Sequence, residues 1–447
     1  MDNYLLTNGV IVTMDANRRV LVGYSLLVKD GVIAAIEPAS QFLDIGDVKV
    51  MDCAGCAIVP GFIDCGGWAG ARPFSGWMQE YPAKRMQAIA SVLANADEAW
   101  WRAEGAVMAG SRLRSGVTTG CVHYHADFFS DGRYVVAVRA HLNGYSGVGG
   151  TVAPVVEPKL LETIAAIGYT PKIYLPALIA SHPWRVTDSF EGLTRRDLIR
   201  IREATRASKR FRAGITAGVW GRNIELMEQA GVDLSGVEWL FQFCNGLTYD
   251  EVKRLKVLDA AIAHLPQQTA CYAPFAEMME IGLRCAVMCE GVNSGCNGDM
   301  LQAVRQVQLI EQLRFDDLYY LPGGRQLELI TIDAARALGI EDKKGSLETG
   351  KDADITVVDL EYPRTVPWED MPVHRLMIDA NDRQVRDVIT GGILAVTGGR
   401  LIGDDKLRME AGILTQQFKS LLTDTDDSWN RPVKSWPEGR LINEAGG

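Results

Sequence analysis

Short apolar runs broken by turn residues mark both ends of this 447-residue chain. Near the start, "YLLTNGVIVTMD" and "YSLLVKDGVIAAIEP" carry β-branched residues interrupted by Asn-Gly and Asp-Gly, which are hairpin signals. The same pattern returns after residue 345 in "DADITVVDL" and "VRDVITGGILAVTGGRL". We therefore predict a β-sandwich domain built from residues 1–58 and 346–447, the second part ending in a helix and a polar tail.

Residues 59–345 have a different pattern, in which strand-like apolar runs alternate with amphipathic helical stretches. A strand followed by a helix, repeated, predicts parallel strands joined by right-handed crossovers. Eight such strands predict an α/β fold, a (β/α)8 TIM-like barrel that forms the catalytic domain. The predicted strands are "IVPGFID", "GVTTGCVHY", "RYVVAVRAHL", "PKIYLPALIA", "RAGITAGV", "EWLFQFC", "DAAIAHL" and "LRCAVMCEG".

Composition and charge exclude several classes of partner. The formal charge of −10 argues against nucleic acid or an anionic membrane, because both bind basic surfaces. The sequence lacks an apolar run of about 18 residues, so we expect no membrane span, and the first residues do not read as a signal peptide. Nine cysteines, an odd number in a large chain, favour a reducing compartment, and we expect a cytoplasmic protein.

Several motifs resemble the amidohydrolase superfamily, in its cytosine deaminase and atrazine chlorohydrolase branch. The opening "LLTNGVIVTMD", the turn "SGVTTG" at 115–120 and the segment "TIDAARALGIEDKKGSLETGKDADITVVDL" at 331–360 carry the resemblance over nearly the whole chain. The resemblance implies the barrel and sandwich architecture, a small-molecule substrate, and a homodimer or higher homo-oligomer.

The metal-binding pattern of that superfamily is absent from this sequence. Members hold zinc or iron with His-x-His after strand one, a histidine after each of strands five and six, and an aspartate after strand eight. At the matching positions this chain has Gly66 and Trp68, no histidine on strand five, Gln242 on strand six and Glu290 on strand eight. We therefore expect no cofactor, with one divalent metal, Zn or Fe, at a different ligand set as the alternative.

Other reactive side chains follow the predicted strands, where the active sites of such barrels lie. Strand alternation puts His123 and His125 on one face, where either could act as general acid or base, or both could bind a metal with Glu290. The structural alternative is that one is a hydrogen-bonded core histidine and the other lies beyond the end of the strand. Glu290 is either a carboxyl whose pKa burial raises or a structural ion-pair partner of Arg284. Cys65 and Cys289 are candidate nucleophiles, or else small buried hydrophobes.

Aromatic and amide side chains at the same end predict a substrate pocket. Four tryptophans suit a flat, mostly apolar ligand, and neutral polar groups would orient it. The tryptophans are Trp68, Trp77, Trp184 and Trp220, and the polar candidates are His182, Gln242, Asn245, His264, Gln267 and Asn293.

Three hypotheses for function remain open. The favoured one is a metal-independent enzyme that uses general acid/base chemistry (lyase, isomerase, cyclisation or metal-free hydrolysis) on a small aromatic or heterocyclic substrate. The first alternative is a metal-dependent hydrolase of C–N or C–halogen bonds with ligands shifted to His123, His125, Glu290 and His182. The second is a non-catalytic pseudoenzyme or binding subunit.

Overall fold

The computed structural model describes most of the chain, with gaps. The described residues are 2–43, 45–70, 72–74, 82–124, 133–156, 160–169, 172–173, 199, 202, 213–217, 228–233, 238–244, 247–266, 273–289, 298–361 and 371–423.

Nineteen strands and eleven helices have bounds within these ranges. The strands are β1 Tyr4–Thr7, β2 Val10–Val12, β3 Val20–Leu21, β4 Tyr24–Lys29, β5 Val32–Pro38, β6 Lys49–Asp52, β7 Cys56–Pro60, β8 Phe62–Asp64, β9 Val117–His123, β10 Thr151–Val156, β11 Lys172–Ile173, β12 Ala213–Ala217, β13 Trp239–Phe243, β14 Ala261–His264, β15 Arg284–Val287, β16 Ile355–Asp359, β17 Val385–Thr390, β18 Ile393–Thr397 and β19 Arg400–Leu401. The helices are α1 Pro82–Asn95, α2 Glu98–Arg114, α3 Arg133–Gly147, α4 Leu161–Ala166, α5 Tyr249–Val257, α6 Phe275–Glu280, α7 Met300–Phe315, α8 Gly323–Leu329, α9 Ile332–Leu338, α10 Pro372–Asp379 and α11 Asp404–Thr423.

The central feature is an eight-stranded sheet that runs in chain order from β8 to β15. Every neighbouring pair in it is parallel, as the strand–helix alternation predicts. The residues that follow each edge strand bond to the last residue of the other edge strand: Cys65 N donates to Val287 O at 3.5 Å, and Cys289 N donates to Asp64 Oδ1 at 2.9 Å. The carboxyl ends of β8 and β15 therefore lie side by side.

Two further sheets are built from the ends of the chain. One has the order β5-β4-β1-β6, and the other has the order β19-β18-β17-β16-β7-β2-β3 and so combines strands from both termini. Apolar side chains of both sheets share one buried cluster, which includes Leu6, Leu26, Ile58 and Ile355. A hydrogen bond from Gly61 N to Asp354 O links this part of the chain to the start of β8.

Helices α2 and α3 pack closely behind β9. A side chain at Gly105 would place its Cβ 2.1 Å from the carbonyl oxygen of His141, and one at Gly144 would place its Cβ 1.9 Å from that of Arg102. Glycine at both positions therefore lets the two helix backbones approach. The side chain of Asp97 caps the start of α2 by accepting a hydrogen bond from Trp100 N at 2.8 Å.

Two predicted strands differ from the structure. The segment "RYVVAVRAHL" is not the third strand but the start of α3, because Tyr134, Val138, His141 and Tyr145 are buried at helical spacing. The third strand is instead β10, whose sequence "TVAPVV" contains a proline, a residue that argues against a central strand.

The first predicted strand, 58–64, is two strands. Cys56–Pro60 pairs with β2 and β16, and only Phe62–Asp64 pairs with β9 in the parallel sheet. The chain changes sheets at Gly61, where a Cβ would lie 2.3 Å from Oγ1 of Thr118. No helix within the described ranges combines the length and the apolar composition that crossing a bilayer requires.

Candidate functional site

Four of the predicted site residues meet at the carboxyl end of the parallel sheet. Cys65 follows β8, His123 ends β9 and Gln242 lies on β13, and all three are almost completely buried. Trp68 forms a β-bridge with His123, and their ring centroids are 6.1 Å apart. The structure therefore brings an imidazole, an amide, a thiol and an indole into one cluster.

The Gln242 side chain on β13 connects the carboxyl ends of β8 and β9. Its Nε2 donates a hydrogen bond to Cys65 O at 3.0 Å and lies 2.5 Å from Nε2 of His123. A carbonyl oxygen only accepts, so the contact with Cys65 assigns the amide nitrogen to this side, and that nitrogen also donates to His123. Nε2 of His123 is therefore the acceptor, and the neutral ring carries its proton on Nδ1.

A buried ion pair lies beside this cluster. Nη2 of Arg112 on α2 lies 2.6 Å from Oδ2 of Asp64, and both side chains are almost fully buried. Burial alone lowers the pKa of Arg112, but Tyr145 and Asp64 outweigh it and hold that pKa above its ordinary value. Asp64 Oδ1 accepts hydrogen bonds from Gly66 N at 3.1 Å and Cys289 N at 2.9 Å, so the pair ties α2 to the ends of β8 and β15.

A second buried network lies behind β9. Nε2 of His141 is 2.7 Å from Oε2 of Glu104, and Nδ1 of His141 is 2.8 Å from the hydroxyl of Tyr124. Tyr134 donates to Tyr124 O at 2.8 Å. Burial raises the pKa of Tyr124 well above its ordinary value, so its hydroxyl stays protonated. The network fixes the residue that follows His123.

The other predicted residues fall into two groups. Cys289 is buried and donates through its backbone to Asp64, whereas the ring of His264 stacks on Phe275 with centroids 4.7 Å apart. Arg284, the possible partner of Glu290, has its Nη2 3.4 Å from Oδ2 of Asp259. The remaining predicted residues lie outside the described ranges: Trp77, His125, His182, Trp184, Trp220, Asn245, Gln267, Glu290 and Asn293.

The residues at the carboxyl end of β8 do not fit the metal that the superfamily binds there. A Cβ at Gly66 would lie 2.3 Å from Cε of Met288, so Met288 fills the space that a histidine at this position needs. Gln242 offers a neutral amide where a histidine is expected, and its nitrogen faces His123. Among the described residues, no three His, Cys, Asp or Glu side chains are grouped so as to hold a metal ion.

Sequence reasoning missed Arg112, Met288 and the Glu104–His141 pair. A signal for two of them exists on α2, where Glu104, Met108 and Arg112 follow one another at four-residue spacing and all are buried. Residues at that spacing lie on one helix face, so the buried face of α2 carries two charged side chains. Met288 has no such local signal, because its role depends on contact with Gly66, which is distant in sequence.

Comparisons with family models and with known proteins show what this chain is similar to. A model of the amidohydrolase family matches residues 222–394. The chain is 25% identical over 392 residues to a 5-methylthioadenosine/S-adenosylhomocysteine deaminase of Desulforudis audaxviator, covering 80% of this chain and 85% of the relative. These findings confirm the superfamily assignment made from the sequence: the chain has an amidohydrolase-family domain.

Solved structures share the fold. A zinc-bound adenosine deaminase from Xanthomonas campestris has a TM-score of 0.78 at 17% identity, covering 94% of this chain and 99% of that one. An atrazine chlorohydrolase from Arthrobacter aurescens, complexed with zinc, has a TM-score of 0.69 at 16% identity, covering 93% and 99%. Because both neighbours carry zinc, the expectation that this chain uses no cofactor is contradicted, and metal independence has no support.

Proposed function

We propose that this chain is a metal-dependent hydrolase of a small heterocyclic substrate, cleaving a C–N or C–halogen bond with a ligand set shifted away from strand one. The named activities of its relatives support this proposal, because they are deaminases of adenosine derivatives and a chlorohydrolase of atrazine. The altered strand-one end supports the shift, since Gly66 and Trp68 offer no metal ligand.

The observation that carries the proposal is the place of His123. It ends β9, is 1% exposed, and lies among the strand ends beside Gln242 and Trp68. An imidazole nitrogen is a preferred ligand of zinc and iron. His125, Glu290 and His182 complete the proposed set and lie outside the described residues.

The bound metal would supply an activated water that attacks the ring carbon. The chain's own residues have separate roles. Gln242 keeps Nε2 of His123 unprotonated, as a ligand nitrogen must be, although it has to turn away before a metal can bind there. The indole of Trp68 supplies an apolar wall beside His123 for a flat ring.

Residues outside this cluster complete the proposed pocket. Glu290 takes a proton from the attacking water and passes it to the substrate as the leaving group departs, and Asn245, Gln267 and Asn293 orient the heterocycle by hydrogen bonds. His264 and the tryptophans Trp77, Trp184 and Trp220 are proposed to line the same pocket. Cys65 and Cys289 have no role in this chemistry.

Metal content of the purified chain tests the proposal. Elemental mass spectrometry on protein grown with added zinc, manganese or iron should find about one equivalent of a single metal. His123→Ala should lose that metal. His374→Ala is the matched control, because His374 is exposed on α10, and it should keep the metal. Equal metal content in the two variants, or none in the wild type, would contradict the proposal.

Activity is measured separately. Heterocyclic amines and chlorides, offered to the metal-loaded chain, should release ammonia or chloride. Glu290→Gln removes both a ligand carboxylate and the proton acceptor, so it should weaken metal binding and should slow this release even when the metal is supplied in excess. Full turnover in Glu290→Gln would exclude the proton-transfer role of Glu290.

The two edges of the eight-stranded sheet lie close together. We infer that the eight-stranded sheet closes into a (β/α)8 barrel, since Cys65 N and Val287 O lie 3.5 Å apart at its two edges. The domains are then residues 1–58 and 346–447 for the β-sandwich and 59–345 for the barrel. A crystal structure with a continuous β15–β8 ladder would establish closure, and light scattering would test the homo-oligomer.

A further inference from the structure

The two adjacent glycines after strand one have different neighbours. We name residues 64–67, Arg112, Cys121 and Met288 the strand-one corner. A Cβ at Gly66 would meet Met288, and one at Gly67 would lie 2.4 Å from Nη2 of Arg112. On β9, a Cβ at Gly120 would lie 2.2 Å from Nη1 of the same arginine. Glycine at 67 and 120 therefore makes room for the guanidinium group.

Oxygen atoms from two strand ends converge on one nitrogen of that group. Nη2 of Arg112 lies 2.6 Å from Oδ2 of Asp64, 2.6 Å from Gly66 O and 3.3 Å from Cys121 O. Nη1 donates to the hydroxyl of Tyr145 at 3.2 Å. A carboxylate and two carbonyl oxygens are the ligand types that hard divalent cations take in proteins. The guanidinium therefore stands at an oxygen-lined cation position.

The charge at this position has two consequences. Two cations repel each other, and burial strengthens the repulsion because the interior has a low dielectric constant. Asp64 also cannot serve a metal while its two oxygens accept from Arg112, Gly66 N and Cys289 N. The guanidinium charge therefore closes the corner to a metal ion, whereas Met288 occupies the space that a side chain at position 66 would need.

We propose that the Arg112 guanidinium is the resident cation of the strand-one corner, that it closes this corner to divalent metal ions, and that it is a positioning residue for the ends of β8, β9 and β15. The strand ends that Arg112 contacts lead directly to two residues of the proposed ligand set, because Cys121 precedes His123 by two residues and Cys289 precedes Glu290. The inference rests on the proposed function in one respect only, which is the location of the catalytic metal at the ligand set that includes His123 of β9.

Removal of the charge from the full-length chain tests this inference. Arg112→Met and Arg112→Gln both remove it, and Gln keeps hydrogen-bond donors in case the Met variant does not fold. With Mn²⁺ alone as the probe, calorimetry and electron paramagnetic resonance should show one additional binding site in these variants. Mn²⁺ should bind at the strand-one corner of these variants with an affinity at least about tenfold higher than at the same corner of the wild type. Adding Asp64→Asn should remove the gained site.

Two controls separate charge from volume. Arg112→Lys keeps the charge, and Met288→Ala opens space without removing it, so neither should gain Mn²⁺. A gain in Met288→Ala, or no gain in a folded Arg112→Gln, would overturn the inference. A wild type that binds no metal while Arg112→Gln gains a site would refute the proposed function and support this inference. The reverse pattern would retain the proposed function and overturn this inference.

Discussion

The side-chain nitrogen of Gln242 lies between His123 Nε2, at 2.5 Å, and the carbonyl oxygen of Cys65, at 3.0 Å. Both neighbours are acceptors, so the two N–H groups of one amide are used within the protein. Gln242 thereby holds His123 of β9 at a fixed distance from the loop that follows β8.

This contact predicts the tautomer of His123. In the wild type its Nε2 should be unprotonated and its Nδ1 protonated. Gln242→Glu replaces the donor with a carboxylate acceptor, so the proton should move to Nε2 or the ring should become cationic. Magnetic resonance of side-chain nitrogens in isotope-labelled histidine reports this directly, and the chain has only six histidines to assign.

Gln326→Glu is the control for that experiment. Gln326 is also buried, and its amide donates to Leu321 O at 3.0 Å, away from the site. Its replacement should leave the His123 signals unchanged. An Nε2-protonated His123 in the wild type would show that the Gln242 amide does not donate to it.

Gly66 and Met288 should behave as a coupled pair. Gly66→Ala places a methyl group against the Met288 thioether and should destabilise the fold by about 1–3 kcal/mol, as overpacking does. In a Met288→Ala background the same change should cost less, because the contacts with Cε and the sulfur of Met288 are gone and only the one with Cβ, at 2.9 Å, remains. Chemical unfolding of the four chains measures the coupling energy.

Gly147→Ala provides the matched control for this cycle. Nothing lies within 4 Å of a Cβ built at Gly147, so this change should be neutral in both backgrounds. Additive effects of Gly66→Ala and Met288→Ala would mean that the thioether does not occupy the space beside Gly66.

The sequence predicts the strands of this fold better than the contacts of its site. Hairpin signals and strand–helix alternation are local, so they identify β16, β17 and β15 correctly. They fail for "RYVVAVRAHL", where two adjacent valines suggest a strand but the buried positions follow a helical period. They also miss β10, because Pro154 within it resembles a strand breaker.

The missed site residues have a physical explanation. His123 and Gln242 could be chosen from sequence because each comes from a strand that the pattern shows. Arg112 and Met288 act on Gly67 and Gly66 through contacts between distant parts of the chain, and a glycine in a sequence does not name the neighbour that requires it. Only the buried face of α2 carried a readable signal.

The Arg112–Asp64 pair should show the asymmetry of buried ion pairs. Arg112→Met leaves Asp64 with an uncompensated buried charge and should cost about 3–5 kcal/mol. Arg112→Met combined with Asp64→Leu removes both charges and should recover much of that loss. Denaturant unfolding at constant pH measures the three variants.

An exposed pair gives the comparison. Lys49 and Asp2 lie 2.7 Å apart, but their side chains are 65% and 52% exposed, so Lys49→Met should leave the unfolding midpoint unchanged. A double variant at 64 and 112 that is less stable than Arg112→Met would show that the pair stabilises by its hydrogen bonds rather than by mutual neutralisation.

Glu311 on α7 should make the stability of this chain depend on pH near neutrality. Arg314 lies 2.7 Å from Glu311 and 2.5 Å from Glu277, so one guanidinium serves two carboxylates. Burial, against the opposing attraction of Arg314, raises the pKa of Glu311 from 4.5 to about 7. The folded state therefore binds this proton more tightly than the unfolded state does.

The sign of the effect follows from that difference. The contribution of protonated Glu311 is fully present below the unfolded pKa of 4.5 and is lost as the pH rises through about 7. Glu311→Gln cannot ionise. As the pH is raised from about 5 to about 8, its free energy of unfolding should therefore rise by about 2–3 kcal/mol relative to that of the wild type. Urea unfolding at the two pH values measures this. Glu280→Gln, at an exposed position of α6, should keep the wild-type slope, and an equal slope in both variants would mean that Glu311 is ionised throughout this range.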